Sequence, residues 1–337
     1  MTGAPLRRRA RRLLGTGAIA AIALGPAVAS ARGQQTGPAA KRVEHLVREE
    51  MGRRHIPALQ IAVVRHGAIV FRGAYGLANI QDSVRATRRT LFTINSITKA
   101  FVGVAMMQLV DARRVGLDAP VSEYLPGLPT AWQPVTIRQL LTNESGLPNI
   151  MNNNTGALVD DGEAAAWAKV QTLPMEFAPG ERFSYSQTNY GLIGRVIDTV
   201  TGESFGTFIA ERQFRVVGMP RTAEAGFGDS HEVIPASARE YTFFRATKGV
   251  FRTTDTLGNV FEEFPPSLRT AAGLSSTAEE LARWIIALQG GRLLKDTTSL
   301  TTLWTPGRLT SGKIGGFGGL LNGYALGWEV AARARHP

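Results

Sequence analysis

The chain has 337 residues, 44% of them hydrophobic and 19% charged, with a formal net charge of +11 and no cysteine. This is globular composition with apolar residues enough for a large core, in one large domain or two modest ones. The lack of cysteine excludes disulfides, thiol catalysis and a lipid-modified cysteine, so stability has to come from the core.

Residues 1–31 read as a secretory signal peptide. Arg7, Arg8, Arg9, Arg11 and Arg12 form a basic start, Leu13 to Val28 is apolar and small, and Ala27-Val28-Ala29 and Ala29-Ser30-Ala31 offer A-x-A cleavage sites. Gly15, Gly17, Gly25 and Pro26 interrupt the apolar run, which is too short and broken for a stable membrane span; an uncleaved anchor is the competing reading. Arg11-Arg12 before Leu13-Leu14 also permits twin-arginine export. The expectation is an exported protein, periplasmic or secreted. Cleavage after Ala31 removes five arginines and no acid and leaves +6, with no long basic run and no nucleic-acid motif, so nucleic acid is not an expected partner.

Residues 32–40 read as a linker and 41–337 as the folded domain. Val43, Leu46, Val47 and Met51 fall at helical spacing, which predicts a helix over Ala39 to Arg54 ended by Pro57. Leu59 to Val64 and Ala68 to Tyr75 predict a hairpin turning at His66-Gly67. A helical pattern runs from Ser96 to about Val115, a short one from Thr136 to Leu141, and another from Asn189 to Val200, closed by Gly202. Thr277 to Glu280 is a capping box for an apolar helix stopped by Gly290-Gly291, and Tyr324 to Val330 reads as a strand. The order predicts a mixed α/β fold. The first hairpin and last strand are expected in one antiparallel sheet flanked by helices, with the central helices as a separate layer or lobe.

Ser96-Ile97-Thr98-Lys99 is the sole S-x-x-K in the chain. Positions three apart share a helix face, so the lysine can approach the serine hydroxyl and, if burial lowers its pKa, take the proton. A serine in the first turn also brings a backbone N–H and the positive helix end to a developing oxyanion. The plainer reading is a helix cap followed by a surface lysine. It fits poorly here, because Ala100 to Met107 is almost wholly apolar and puts Lys99 at the start of a buried helix. The five histidines, His45, His55, His66, His231 and His336, show no metal-ligand spacing, and neither H-E-x-x-H nor G-x-S-x-G occurs. No metal and no cofactor is expected.

Phe92-Thr93-Ile94-Asn95-Ser96-Ile97-Thr98-Lys99 resembles the nucleophile segment of the class C β-lactamase-like serine hydrolases, a family that includes class C β-lactamases, D-alanyl-D-alanine peptidases and related esterases. Four further segments match in order: Leu140 to Pro148 is similar to L-L-T-H-T-S-G-L-P, Pro179 to Tyr190 to P-G-x-x-F-x-Y-S-N, and Val217-Gly218-Met219-Pro220 and Ala272 to Ala282 also correspond. The resemblance covers Ala40 to the end and implies a β-lactamase/transpeptidase-like fold. It implies Ser96 as nucleophile, Lys99 as base and Tyr185 as the tyrosine of the proton relay; without it, a packed aromatic is the plainer reading of Tyr185. It places Gln187 where the family has a substrate-binding asparagine, with one methylene more of reach. Asn143 and Glu144 replace a histidine and a threonine and read as supporting or structural changes.

The implied substrate is a small acyl compound: a β-lactam, a peptidoglycan-derived D-Ala-D-Ala peptide or an ester. The aromatic segment Tyr241 to Phe264 either lines an acyl pocket or simply packs. The family's third motif, K-T-G or H-x-G, follows a Y-x-L-G-W segment; Tyr324 to Trp328 supplies the latter, but no K-T-G occurs and His336 is followed by Pro337 alone. The resemblance therefore leads to the expectation of a domain incomplete at its C-terminus, lacking the last strands and one oxyanion N–H. The alternative it raises is an inactive remnant or binding protein on the same scaffold.

Overall fold

The computed structural model describes residues 37–331, apart from 153–155, 229–232, 248–249, 261–263 and 320–321. The signal peptide expected over residues 1–31 lies outside the described residues, as does His336. Among the described residues, no helix is long and apolar enough to cross a membrane.

Helix α1 spans Pro38–Arg53 and turns its buried Ala40 and Val47 inward. Strand β1 (Ala58–Arg65) pairs antiparallel with β2 (Ala68–Asn79), with Ala58 opposite Gly76 and Arg65 opposite Ala68. His66 (φ 51°) and Gly67 (φ 70°) both take left-handed backbone, the condition for a two-residue turn whose twist matches the strands. The short strand β3 (Val84–Arg85) extends this sheet beside β2, and β4 (Phe92–Thr93) leads to the helices.

Helix α2 (Thr98–Asp111) is buried continuously from Thr98 to Met107, as befits a helix apolar on every side. A single 3₁₀ turn, Asn95–Ile97, precedes it, so Ser96 lies in that turn rather than in the α-helix expected from the sequence. The helix also stops at Asp111, short of Val115, and Arg113 then takes a left-handed φ of 57°. Around α2 follow α3 (Ile137–Leu141), α4 (Glu163–Val170), α5 (Gln187–Thr201), then α6 (Phe205–Ile209), a π turn at Ala210–Phe214 and α7 (Arg215–Val217), and α8 (Pro220–Ala225). Gly202 closes α5 in left-handed backbone, as its position predicts.

The aromatic segment after Glu240 is a hairpin, β5 (Glu240–Thr247) with β6 (Val250–Val260). Helix α9 (Arg269–Ala272) and strand β7 (Ser275–Ser276, paired with β4) lead into α10 (Ala278–Gln289), which packs across β1 and β2. The capping box expected here is half formed. Thr277 accepts from Glu280 N–H, but the Glu280 carboxylate turns to Arg221 N–H and to Thr222 N–H and Oγ1, tying α10 to the start of α8.

Helix α11 (Thr297–Trp304) precedes the last elements, β8 (Gly323–Tyr324) and β9 (Glu329–Val330). The single strand expected over Tyr324 to Val330 is instead this tight hairpin, and among the described residues it forms its own two-stranded ladder rather than joining β1 and β2. Its turn is held against α2: a Cβ at Gly327 (φ 86°) would lie 2.3 Å from the Lys99 carbonyl oxygen, and one at Gly103 would lie 2.0 Å from the Leu326 oxygen.

Candidate active site

The 3₁₀ turn and the start of α2 together put a buried amine behind an exposed hydroxyl. Ser96 is exposed, whereas Lys99 is fully buried. Lys99 Nζ donates to the Ala271 carbonyl oxygen at 2.7 Å and to Gln187 Oε1 at 3.0 Å, and lies 3.2 Å from Ser96 Oγ. A neutral amine has two protons and one lone pair; with the protons given to Ala271 and Gln187, the lone pair faces the Ser96 hydroxyl. Burial brings the Lys99 pKa down to about 7, so the neutral form is populated near neutral pH.

Aromatic rings close the other sides. Lys99 Nζ lies 4.6 Å from the centre of the Tyr185 ring and 5.1 Å from that of Tyr190. Burial pushes the Tyr185 phenol up to about 12, against hydrogen bonding with Ser96 and with Tyr324 that lowers it. Tyr185 therefore holds its proton at any ordinary pH and stands beside Ser96. Tyr190 donates to the Leu141 carbonyl oxygen at 2.9 Å, and Tyr324 is buried with its phenol raised well above its usual pKa by burial.

The structure thus brings together all four residues singled out in the sequence, Ser96, Lys99, Tyr185 and Gln187. The extra methylene of Gln187 is accommodated, with its side-chain amide oxygen reaching the lysine, and its backbone N–H donates to Asn149 Oδ1 at 3.0 Å. Two contributors were not legible. The Ala271 carbonyl is one, since any residue supplies a carbonyl. Tyr324 is another, carried in by the β8–β9 hairpin.

Asn143, read from the sequence as a supporting or structural change, holds the segment around Tyr185. Its backbone oxygen accepts from Ser184 N–H at 2.9 Å and its Oδ1 from Ser186 N–H at 3.2 Å, gripping the chain on both sides of Tyr185. Asn189 Nδ2 also donates to that Oδ1, at 3.1 Å. Asn143 has a left-handed φ of 58°, a conformation asparagine tolerates better than most residues. Glu144 beside it is buried in a notch of glycines, where a Cβ at Gly307 would lie 2.3 Å and one at Gly315 2.8 Å from its Oε1. Burial raises its carboxyl pKa, while Thr142 and Arg138 work in the opposite direction.

Next to the nucleophile turn lies a cleft of about 380 Å³, bordered by Phe92, Thr93, Asn95, Tyr241, Thr242 and Val260 among others. Tyr241, Thr242 and Val260 of the aromatic segment thus border this cleft, whose lining does not include Ser96, Lys99, Tyr185 or Gln187. Asn95, with φ 43°, holds a buried Oδ1 that has no protein partner.

A mixed α/β scaffold with a serine–lysine–tyrosine constellation at the head of a buried helix defines the class of the β-lactamase and penicillin-binding-protein fold. Residues 43–335 match the family model described as Beta-lactamase, and the chain belongs to that family. Protein flp of Staphylococcus aureus is 27% identical over 218 residues, which is 59% of this chain and 41% of that protein; the chain spans about two fifths of the length of such relatives. The octameric penicillin-binding protein homologue from Pyrococcus abyssi superposes with a TM-score of 0.65 at 25% identity, covering 85% of this chain and 64% of that one. The D-amino acid amidase from Ochrobactrum anthropi gives 0.68 at 23% identity, covering 87% and 82%.

Proposed function

We propose that the protein is a serine hydrolase that works through an acyl-enzyme on Ser96. The observation that carries this reading is the Lys99 amine, buried, with both protons of its neutral form engaged and its lone pair directed at Ser96 Oγ.

Lys99 takes the Ser96 proton as Oγ bonds to the substrate carbonyl carbon, and the carbonyl π pair moves to oxygen. The N–H groups at the start of α2 favour that oxyanion. As the pair returns, the bond to the leaving group breaks. Tyr185 gives its proton to the departing atom, and the Lys99 ammonium facing its ring returns one. Water then attacks the ester, loses its proton through the same groups, and frees the acid and Ser96.

Gln187 orients Lys99 and offers its amide to the substrate. The cleft beside Asn95 is the place for the acyl portion. The substrate class is a β-lactam, a D-Ala-D-Ala peptide or an ester. The penicillin-binding-protein and amidase relatives support small acyl substrates in general. Export by residues 1–31 would put the enzyme where peptidoglycan fragments and β-lactams are met. The test is burst release from p-nitrophenyl acetate with and without Ser96→Ala: the burst is expected to vanish in the variant, and its full retention would rule out Ser96 as nucleophile.

A further inference from the structure

Phe317 is a large apolar side chain left 50% exposed, although three rings lie around it. It meets Phe183 edge-on at 5.0 Å, Tyr185 at 5.4 Å and Tyr324 at 6.1 Å between ring centres. The residues beside it are fixed. Tyr324 N–H donates to the Gly315 carbonyl oxygen at 2.9 Å, and a Cβ at Gly316 would lie 2.9 Å from the Gly323 nitrogen. On the other side the chain is open, since a Cβ at Gly318 or Gly319 would meet nothing within 4 Å. Phe317 is thus a held ring, half exposed, and among the described residues nothing closes over the chain at Gly318 and Gly319.

Tyr185 links this ring to the nucleophile, because its phenol interacts with Ser96 while Phe317 packs on the same ring. On the hydrolase reading, which this inference rests on, Tyr185 protonates the departing atom, so the leaving group comes away past the Tyr185 ring. The apolar surface packed on that ring is Phe317, with Phe183 edge-on to it. We infer that Phe317 forms an apolar leaving-group subsite, so that the preferred substrates are esters or amides whose departing alcohol or amine carries an aryl or bulky apolar group. Ring–ring contact and burial of the exposed face favour such a group by about threefold to tenfold over a methyl group.

Hydrolysis of benzyl butyrate and methyl butyrate, followed by titration of released acid, reads this directly. The acyl group is shared and the two alcohols are of similar acidity. The wild type is expected to favour the benzyl ester in kcat/KM by about threefold to tenfold, and Phe317→Ala to bring the ratio close to parity, with Phe317→Tyr restoring it and Phe317→Leu intermediate. The ratio of methyl phenylacetate to methyl acetate, which varies the acyl group instead, should be the same in wild type and Phe317→Ala. An unchanged benzyl-to-methyl ratio in Phe317→Ala overturns the subsite. So does a loss of discrimination in the acyl series, which would place the ring on the acyl side. Failure of the hydrolase reading looks different, because no ester would then show Ser96-dependent turnover. Saturation transfer from the protein to benzyl alcohol needs no turnover: it is expected in the wild type and not in Phe317→Ala, and its absence from the wild type overturns the subsite independently.

Discussion

Replacing Lys99 with methionine tests the buried amine apart from any catalysis. Lys99 carries a pKa of about 7 in the fold against 10.5 for a free lysine, with burial as the cause. The sign follows from proton counting. Between these values the unfolded chain holds a proton that the folded chain lacks, so stability rises with pH. The penalty is complete below pH 7 and gone once pH has risen through 10.5. From pH 7 to pH 9 the wild type should gain about 2 kcal/mol from this residue alone. Lys99→Met keeps the length and the burial but has no proton to lose. Urea unfolding of both proteins at the two pH values gives the answer as a difference of differences, in which all other titrating groups cancel. The gap between wild type and variant should move by about 2 kcal/mol in favour of the wild type at pH 9. A gap that does not move with pH, or moves the other way, would refute a buried lysine of lowered pKa and with it the argument for a neutral base.

The pH dependence of ester kcat/KM in the wild type should show an acid limb near pH 7, where Lys99 takes a proton, and no alkaline fall from Tyr185, whose phenol stays protonated to about 12. Lys99→Ala, Tyr185→Phe and the double variant should fall to similar low rates, since a shared relay is lost only once; multiplied losses in burst kinetics would argue for separate roles. Asn143→Ala removes the side-chain acceptor beside Tyr185 and should lower kcat by about tenfold or more, with KM much less affected, in a steady-state ester assay. Gly103→Ala puts a Cβ 2.0 Å from the Leu326 carbonyl oxygen, and thermal unfolding should show a loss of about 1–3 kcal/mol as α2 and the β8–β9 turn are forced apart.

Local features were legible in the sequence wherever the cause is local. The α1 helix (though Leu46 of its apolar stripe is exposed), the His66-Gly67 turn, the Gly202 stop and the S-x-x-K spacing all act within a few residues. They stand close to where periodicity and turn chemistry put them. Tyr185 and Gln187 lie far from Lys99 in the chain, and only the family resemblance singled them out. Nothing in the residues 140–148 by themselves says that Asn143 will grip both sides of Tyr185, because that depends on how α3 and α5 meet. The same holds for Tyr324, delivered by a hairpin whose glycine turn rests on α2. The β5–β6 hairpin was available in principle, since Tyr, Phe, Thr and Val dominate its strands. Its register shift near Thr242 and Phe244 blurs the alternation that would have marked it.

Acylation of Ser96 is the most direct test of the account. The full chain is treated with a fluorophosphonate and, in parallel, with a fluorescent penicillin, and its intact mass and tryptic peptides are read. A single phosphonate adduct on the peptide carrying Ser96, lost in Ser96→Ala and in Lys99→Ala, is the predicted result, with the penicillin adduct deciding whether β-lactams are among the substrates. A folded wild-type protein that takes up no phosphonate, or takes up as much with Ser96→Ala, would contradict the account.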